Sequence, residues 1–390
     1  MLSVLTRARK SLGFFCAAVA AFAISACVPA SGPSLGAGAG SGRVQIALLT
    51  PSGSGQASDE LLARSLENAA RMAISDLGGT QIDLRVYGTA GQPAQAAAMA
   101  SKAVAEGAQI ILGPVFAQEA NAAGLAVAAS GVNVLAFSNN TDIAGNNVFV
   151  LGPTFDNTAA RLAAFSVRQG KANIMIVHDK NTAGELGRAA IQRGVSIAGG
   201  TVVATGSYEF SQNGVVSAAP VIAANARSAG AQAIFMTADT AGALPLISQL
   251  LADNGMGPSV TQFIGLTRWD IPAATLALPG VQGGWFAMPD PALYAQYQAR
   301  YQASFSEPPH PISGLAYDGV AAIGALLRNA GPGPIRAASL TQGAGFVGVN
   351  GIFRLRADGT NERGLAIAQI QNGQAVVIEA APRSFGGAGF

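Results

Sequence analysis

From Val44 onward the chain repeats one pattern: a short, nearly unbroken apolar run, then a longer segment with apolar residues at helical spacing. Residues 44–49 read VQIALL, too dense in apolar side chains to alternate between a wet and a dry face. Such a run fits a parallel strand covered on both sides. Residues 59–77 follow, with Leu62, Leu66, Ala69, Ala73 and Leu77 forming one stripe of an amphipathic helix. The same reading predicts strands over 82–87, 109–112 and 132–137, separated by helices over 93–105 and 118–129. Strands alternating with helices of this length argue for βαβ units and a parallel sheet.

A second set follows, with helices predicted over 159–169, 187–198, 216–228 and 241–253 and strands over 173–177, 201–207, 231–236 and 261–264. Two successive sets imply an α/β protein of two Rossmann-like lobes. The strand ends facing the cleft between them are where such sheets place ligands. The C-terminal part changes character after a helix predicted over 311–329. Residues 351–356, 364–370 and 375–379 read as a β-meander, with Asp358-Gly359 and Asn372-Gly373 as turn residues.

Charge removes one class of function. The net charge is +2 and the charged residues, 11% of the chain, are spread along it. No basic run exists to neutralise a row of phosphates, so nucleic-acid binding is not expected.

The first residues read as a leader. Arg7, Arg9 and Lys10 precede an apolar stretch over 12–24 that is too short to span a bilayer. It runs into Ile24-Ser25-Ala26-Cys27, which resembles the lipobox of bacterial lipoproteins. Residues 1–26 are therefore expected to be removed as a signal peptide, and Cys27 to carry lipid. Residues 27–42, rich in Gly, Ser, Ala and Pro, read as a flexible tether of about 20 Å root-mean-square span. Cys16 leaves with the leader, so no disulfide, cysteine nucleophile or cysteine metal ligand is expected. The membrane is expected to be touched through that lipid alone.

Enzymatic chemistry finds little support. The histidines are His178 and His310, and no G-x-S-x-G, H-E-x-x-H or P-loop occurs. His178 ends a predicted strand and reads as structural. No catalytic residue, metal ligand or cofactor is expected.

Several segments taken in order resemble the leucine-type (type I) periplasmic binding proteins. They are Ile111-Leu112-Gly113-Pro114, 134–141 (VLAFSNNT), Ile176-Val177-His178-Asp179-Lys180 with Gly184-Glu185, Ala316-Tyr317-Asp318-Gly319-Val320 and 348–353 (GVNGIF). The resemblance covers about 43–381. It implies three crossovers between the lobes and hinge closure on a ligand. It also implies lobe 1 over 43–154 plus 285–345 and lobe 2 over 155–284 plus 346–383. The hinge is expected near 153–154 and 282–285.

In that family the cleft takes an amino acid. Ser138, Asn140 and Thr141 match one ligand loop, where Ser138 and Thr141 either hold a carboxylate or cap the following turn. Asp239, Thr240 and Arg268 stand at other strand ends facing the cleft; Trp269 is expected to pack at the hinge. Two departures stand out: Ala117 replaces a usual serine and Ala183 a usual covering aromatic.

The resemblance supports a non-enzymatic envelope lipoprotein that binds an amino acid or similar small polar ligand, with an ABC permease as partner. A branch of the same resemblance offers an alternative. The penicillin-binding-protein activators stimulate a peptidoglycan synthase by protein contact. Val28, where an aspartate would favour inner-membrane retention, points to the outer membrane in a two-membrane cell. The expected place is the periplasmic face of the envelope.

Overall fold

The computed structural model describes residues 43–78, 82–331 and 333–386. The expected signal peptide, Cys27 and the tether lie outside the described residues.

The VQIALLT run forms β1 (Val44–Thr50), buried throughout and an interior strand of a five-stranded parallel sheet. Its neighbours are β2 (Ile82–Gly88) on one side and β3 (Ile110–Leu112) on the other. Then come β4 (Asn133–Ala136) and β5 (Val148–Val150). The helices α1 (Ala57–Asp76), α2 (Pro93–Ala105) and α3 (Ala117–Val127) join successive strands. This is lobe 1.

Lobe 2 repeats the order. β6 (Asn173–Asp179), β7 (Thr201–Tyr208), β8 (Ala233–Met236), β9 (Gln262–Gly265) and β10 (Trp285–Met288) run parallel in the order β7-β6-β8-β9-β10. Their helices are α4 (Phe155–Arg168), α5 (Thr182–Ile197), α6 (Gln212–Ser228) and α7 (Leu244–Asp253). Each sheet is covered on both faces, as its apolar strands require. In lobe 2, Phe165, Ile191 and Val195 pack on one face and Ile222, Ile247 and Leu251 belong to the other core.

The chain then returns through α8 (Pro291–Phe305) and α9 (Gly314–Ala330), whose Tyr297, Tyr301, Val320 and Ile323 join the lobe 1 core. After the short α10 (Ala337–Leu340), β11 (Phe346–Gly348), β12 (Gly351–Leu355) and β13 (Asn361–Arg363) form their own small antiparallel sheet. The hairpin of β14 (Ala366–Gln371) and β15 (Gln374–Glu379) finally extends the lobe 2 sheet from β10.

Two expectations need correction. The second crossing does not fall at 282–285, because Trp285–Met288 is strand β10 inside the lobe 2 sheet, and the chain leaves only at Pro289-Asp290. The C-terminal strands do not form one meander. β12 belongs with β11 and β13, and Phe346, Val349, Phe353 and Leu355 sit in the lobe 1 core. The third crossing is therefore at Gly364-Leu365 rather than at 345–346.

Candidate functional site

A strand order of 2-1-3-4-5 leaves a crevice at the carboxyl ends of the strands on either side of the order reversal. In lobe 1 that point lies between β1 and β3, and in lobe 2 between β6 and β8. Gly113, just past β3, has φ of 82° and lies so close to the Leu49 carbonyl that a Cβ has no room. Beyond it Phe116 starts α3 with no side-chain cap, and its ring stands by Gly91, 41% exposed.

On the lobe 2 edge, the buried Asp179 carboxylate accepts the Tyr208 hydroxyl, Thr237 Oγ1 at 3.3 Å and Asn181 Nδ2 at 3.4 Å. Burial and the neighbouring Asp179 charge raise the pKa of Tyr208 well above its ordinary value, so the phenol stays protonated and donates. Asn181 also caps α5 by accepting from the Gly184 amide at 2.7 Å. Gly184 packs directly on the Asp179 carbonyl and leaves no room for a side chain.

Between the lobes lies a cavity of about 260 Å³, walled by Asn139 and Pro153, by Leu266, Thr267, Arg268 and Ile271, by Met288 and Pro289, and by Pro311, Ile312 and Leu315. These residues lie just beyond β4, β5 and β9, at the end of β10, and just before and at the start of α9. Phe155, Thr158, Ala287 and Asn350 also line it, and Arg363 and Leu365 close it from the third crossing. Arg268 is held by Asp270, through Nε at 2.6 Å and through Nη2. Thr267 Oγ1 and Arg363 Nη2 are buried with no hydrogen-bond partner in the protein.

The join of the lobes is a buried polar network. Asp318 on α9 is fully buried, accepts from the amides of Val349 and Asn350, and pairs with Arg363 Nη1 at 3.1 Å. Arg363 Nε donates to the Leu151 carbonyl at 2.8 Å, and its guanidinium lies 4.9 Å from the Phe353 ring centre. Asn361 donates to the carbonyls of Val150 and Gly152, and Asn157 of α4 donates to Asn361. The first and third crossings thus meet at two side chains of β13.

The expected ligand residues are dispersed. Ser138 is buried and its Oγ accepts from the Asn140 amide at 3.1 Å, while Asn140 accepts from the Asp142 amide at 2.8 Å. Both serve the turn after β4. Thr141 lines a different crevice of about 600 Å³, beside Asp156, Arg193, Arg356 and Asp358. Asp239 accepts from the Gly242 amide at 2.5 Å, and Thr240 donates to the Ile271 carbonyl at 2.7 Å. Of the six, Arg268 alone is on the interlobe cavity.

Trp269 is fully buried against Gly265 and Gly284 in the lobe 2 core, not at the hinge. His178 is a buried strand-end residue whose Nδ1 lies 3.1 Å from the Asp179 carbonyl. The residues that sequence reasoning missed are Asn139, Thr267, Asp318 and Arg363. Asp318 was within a recognised segment, but nothing local marks it as the partner of a residue 45 positions away.

No helix among the described residues is long and apolar enough to cross a membrane. A search of curated proteins finds no significant match. Solved structures are similar in fold. A putative branched-chain amino acid ABC transporter protein from Rhodospirillum rubrum superposes with a TM-score of 0.71 at 18% identity, over 86% of this chain and 100% of that one. An ABC transporter substrate-binding protein from Desulfitobacterium hafniense, in complex with Leu, gives 0.65 at 18% identity over 86% and 100%. A solute-binding protein from Rhodopseudomonas palustris BisB5, in complex with 3,4-dihydroxy benzoic acid, gives 0.60 at 17% identity over 87% and 97%. The sequence profile of the periplasmic binding proteins matches residues 43–375. With the two-lobed parallel architecture and the cavity between its strand ends, that match establishes that the chain belongs to the periplasmic binding protein family.

Proposed function

We propose that the protein is a solute-binding lipoprotein of the cell envelope, non-enzymatic, that closes its lobes on a small ligand and presents it to an ABC permease. The observation that carries this reading is the cavity of about 260 Å³ walled by both lobes at the carboxyl ends of their strands. Its volume falls just below the roughly 300–1,000 Å³ of drug-sized sites, so the ligand is of amino-acid size. The relatives named above support the same class: two are described as ABC transporter proteins and the third as the solute-binding protein of one. The leader ending in Cys27 supports export and a lipid anchor on the periplasmic side of the envelope.

Ligand contacts are proposed at Arg268, with Asn139 and Thr267 beside it. Ser138, Asn140, Thr141, Asp239 and Thr240 are proposed to shape the loops around the cleft.

A thermal-shift screen of the full chain in detergent tests the reading. A ligand at a hundred times its Kd stabilises by about 2.7 kcal/mol. Stabilisation that Arg268→Ala weakens is expected. Absence of any small-ligand shift overturns it.

One observation favours a second reading. Ala117 and Ala183 stand where family resemblance places ligand contacts, and Thr141 is not on the cavity. A protein that works by contact with a penicillin-binding protein has no need of those groups. Specific capture of such a synthase, with no ligand shift, is the outcome that selects it.

A further inference from the structure

The polar groups around the interlobe cavity are unbalanced, and the imbalance bears on the ligand's chemistry. The polar side chains on its wall are Asn139, Thr158, Thr267, Arg268, Asn350 and Arg363; the two arginines only donate, the amides and hydroxyls can also donate, and no aspartate or glutamate is among them. Two of the donor groups, Thr267 Oγ1 and Arg363 Nη2, have no partner in the protein. A buried donor without a partner is costly and is rare in native structures.

The carboxylates nearest the cavity and the cleft edges are already engaged. Asp270 holds Arg268. Asp318 holds Arg363 and accepts from two backbone amides. Asp179 accepts Tyr208, Thr237 and Asn181, and Asp239 accepts the Gly242 amide. An α-ammonium group in this cavity has no carboxylate to meet, and burying an unpaired cation is strongly unfavourable. Much of the remaining wall is apolar, with Leu266, Ile271, Met288, Ile312, Leu315 and Leu365 on it.

We infer that the ligand is a small apolar carboxylic acid that lacks an α-ammonium group, a branched aliphatic or aromatic acid, rather than an amino acid. Its carboxylate accepts from Arg268, Thr267 and Asn139, and its hydrocarbon body lies against the apolar wall. This rests on the solute-binding reading and names the ligand class of the same cavity.

The test is calorimetric titration of the full chain in detergent with matched pairs: 4-methylpentanoate against leucine, and 3-phenylpropanoate against phenylalanine. The acid of each pair is expected to bind at least tenfold more tightly, because the amino acid must bury an ammonium group with no carboxylate partner. Thr267→Val, which keeps the side chain's shape, is expected to weaken the acid and leave the melting temperature of the unliganded protein unchanged or higher. Thr141→Ala is expected to leave acid binding unchanged. Amino acids that bind as tightly as their deaminated partners, or more tightly, overturn the inference and leave the solute-binding reading standing. Acid binding that is equally strong in Thr267→Val and Arg268→Ala overturns the assignment to this cavity. If neither member of either pair binds, the inferred ligand class is overturned, and the broader thermal-shift screen decides the solute-binding reading separately.

Discussion

The helices that begin at the cleft edge are closed differently in the two lobes. In lobe 2, Asn181 caps α5 and Ser211 caps α6, each accepting an amide of the first turn. The Tyr208–Asp179–Thr237 cluster satisfies the floor beneath them. In lobe 1, α1, α2 and α3 start at Gln56, Gln92 and Phe116, and no side chain accepts from their first-turn amides. Helix starts leave orphan N–H groups unless something accepts from them. At α5 and α6 lobe 2 thus spends its polar groups internally, although α7 starts at Ala243 with no side-chain cap and Thr267 beyond β9 keeps a hydroxyl without a protein partner; in lobe 1 all three of these helix starts are left open. The difference teaches which half of the cleft tolerates substitution. Changes at Asn181, Ser211 or Tyr208 of lobe 2 break existing bonds and lower stability. Changes at the lobe 1 edge remove few protein bonds.

The network that joins the lobes sets the upper bound of this scale. Asp318→Ala leaves Arg363 charged, buried and unpaired, and removing one partner of a buried pair costs about 3–5 kcal/mol. Urea unfolding is expected to show that loss. Asp318→Ala combined with Arg363→Met is expected to cost less than Asp318→Ala alone. A loss below about 1 kcal/mol for the single variant contradicts the network as drawn.

Next in size is Tyr208→Phe, which leaves the buried Asp179 carboxylate without its strongest donor. The expected cost is about 1–3 kcal/mol. If this variant unfolds at the wild-type urea midpoint, the lobe 2 edge is not internally satisfied. Asn181→Ala removes the α5 cap and is expected to cost about 1 kcal/mol. Gln56→Ala, at the matching position of lobe 1, is expected to cost nothing measurable, since no cap bond is lost. Equal losses for the two erase the contrast between the lobes.

The fold was legible because its strongest signals are local. Dense apolar runs such as Val44–Thr50 and Ile174–Val177 can be covered only from both sides, and α2 was expected over its observed span. What was missed follows from physics that the pattern does not carry. The starts of α5 and α6 were placed too late because their first turns are polar and capped rather than apolar. The helix α8 went unread because only Tyr297 and Tyr301 of its 15 residues are buried. The strands β5 and β13 have three residues each, too few to show a period. The site was less legible than the fold. Ser138 and Thr141 follow the same strand, yet one hydroxyl turns into its own loop and the other onto a separate crevice. Arg363 reaches Asp318 only because the small sheet of β11, β12 and β13 packs by α9, a pairing across 45 residues that no local signal announces.

The last test concerns the lobe 1 edge and carries the opposite sign. Glu119, in the first turn of α3, is buried, and desolvation raises its pKa above the ordinary value. Thr89 and the Phe116 amide lie close enough to temper this, but neither makes a hydrogen bond of normal geometry with its oxygens. A carboxyl whose folded pKa exceeds its unfolded pKa binds a proton more tightly in the folded state. Its favourable contribution is complete below the unfolded pKa and is lost as pH rises through the raised folded value. Above that value the charged, buried carboxylate is a net burden on the fold. Glu119→Gln removes the charge and keeps the shape. It is therefore expected to raise stability at neutral pH and to flatten the decline in stability as pH rises through the acidic range. Paired urea titrations of wild type and variant from pH 4 to 8 read this directly. A variant that is less stable than wild type at pH 7 shows instead that the Glu119 carboxylate holds lobe 1 together, and it removes the open edge on which the contrast with lobe 2 depends.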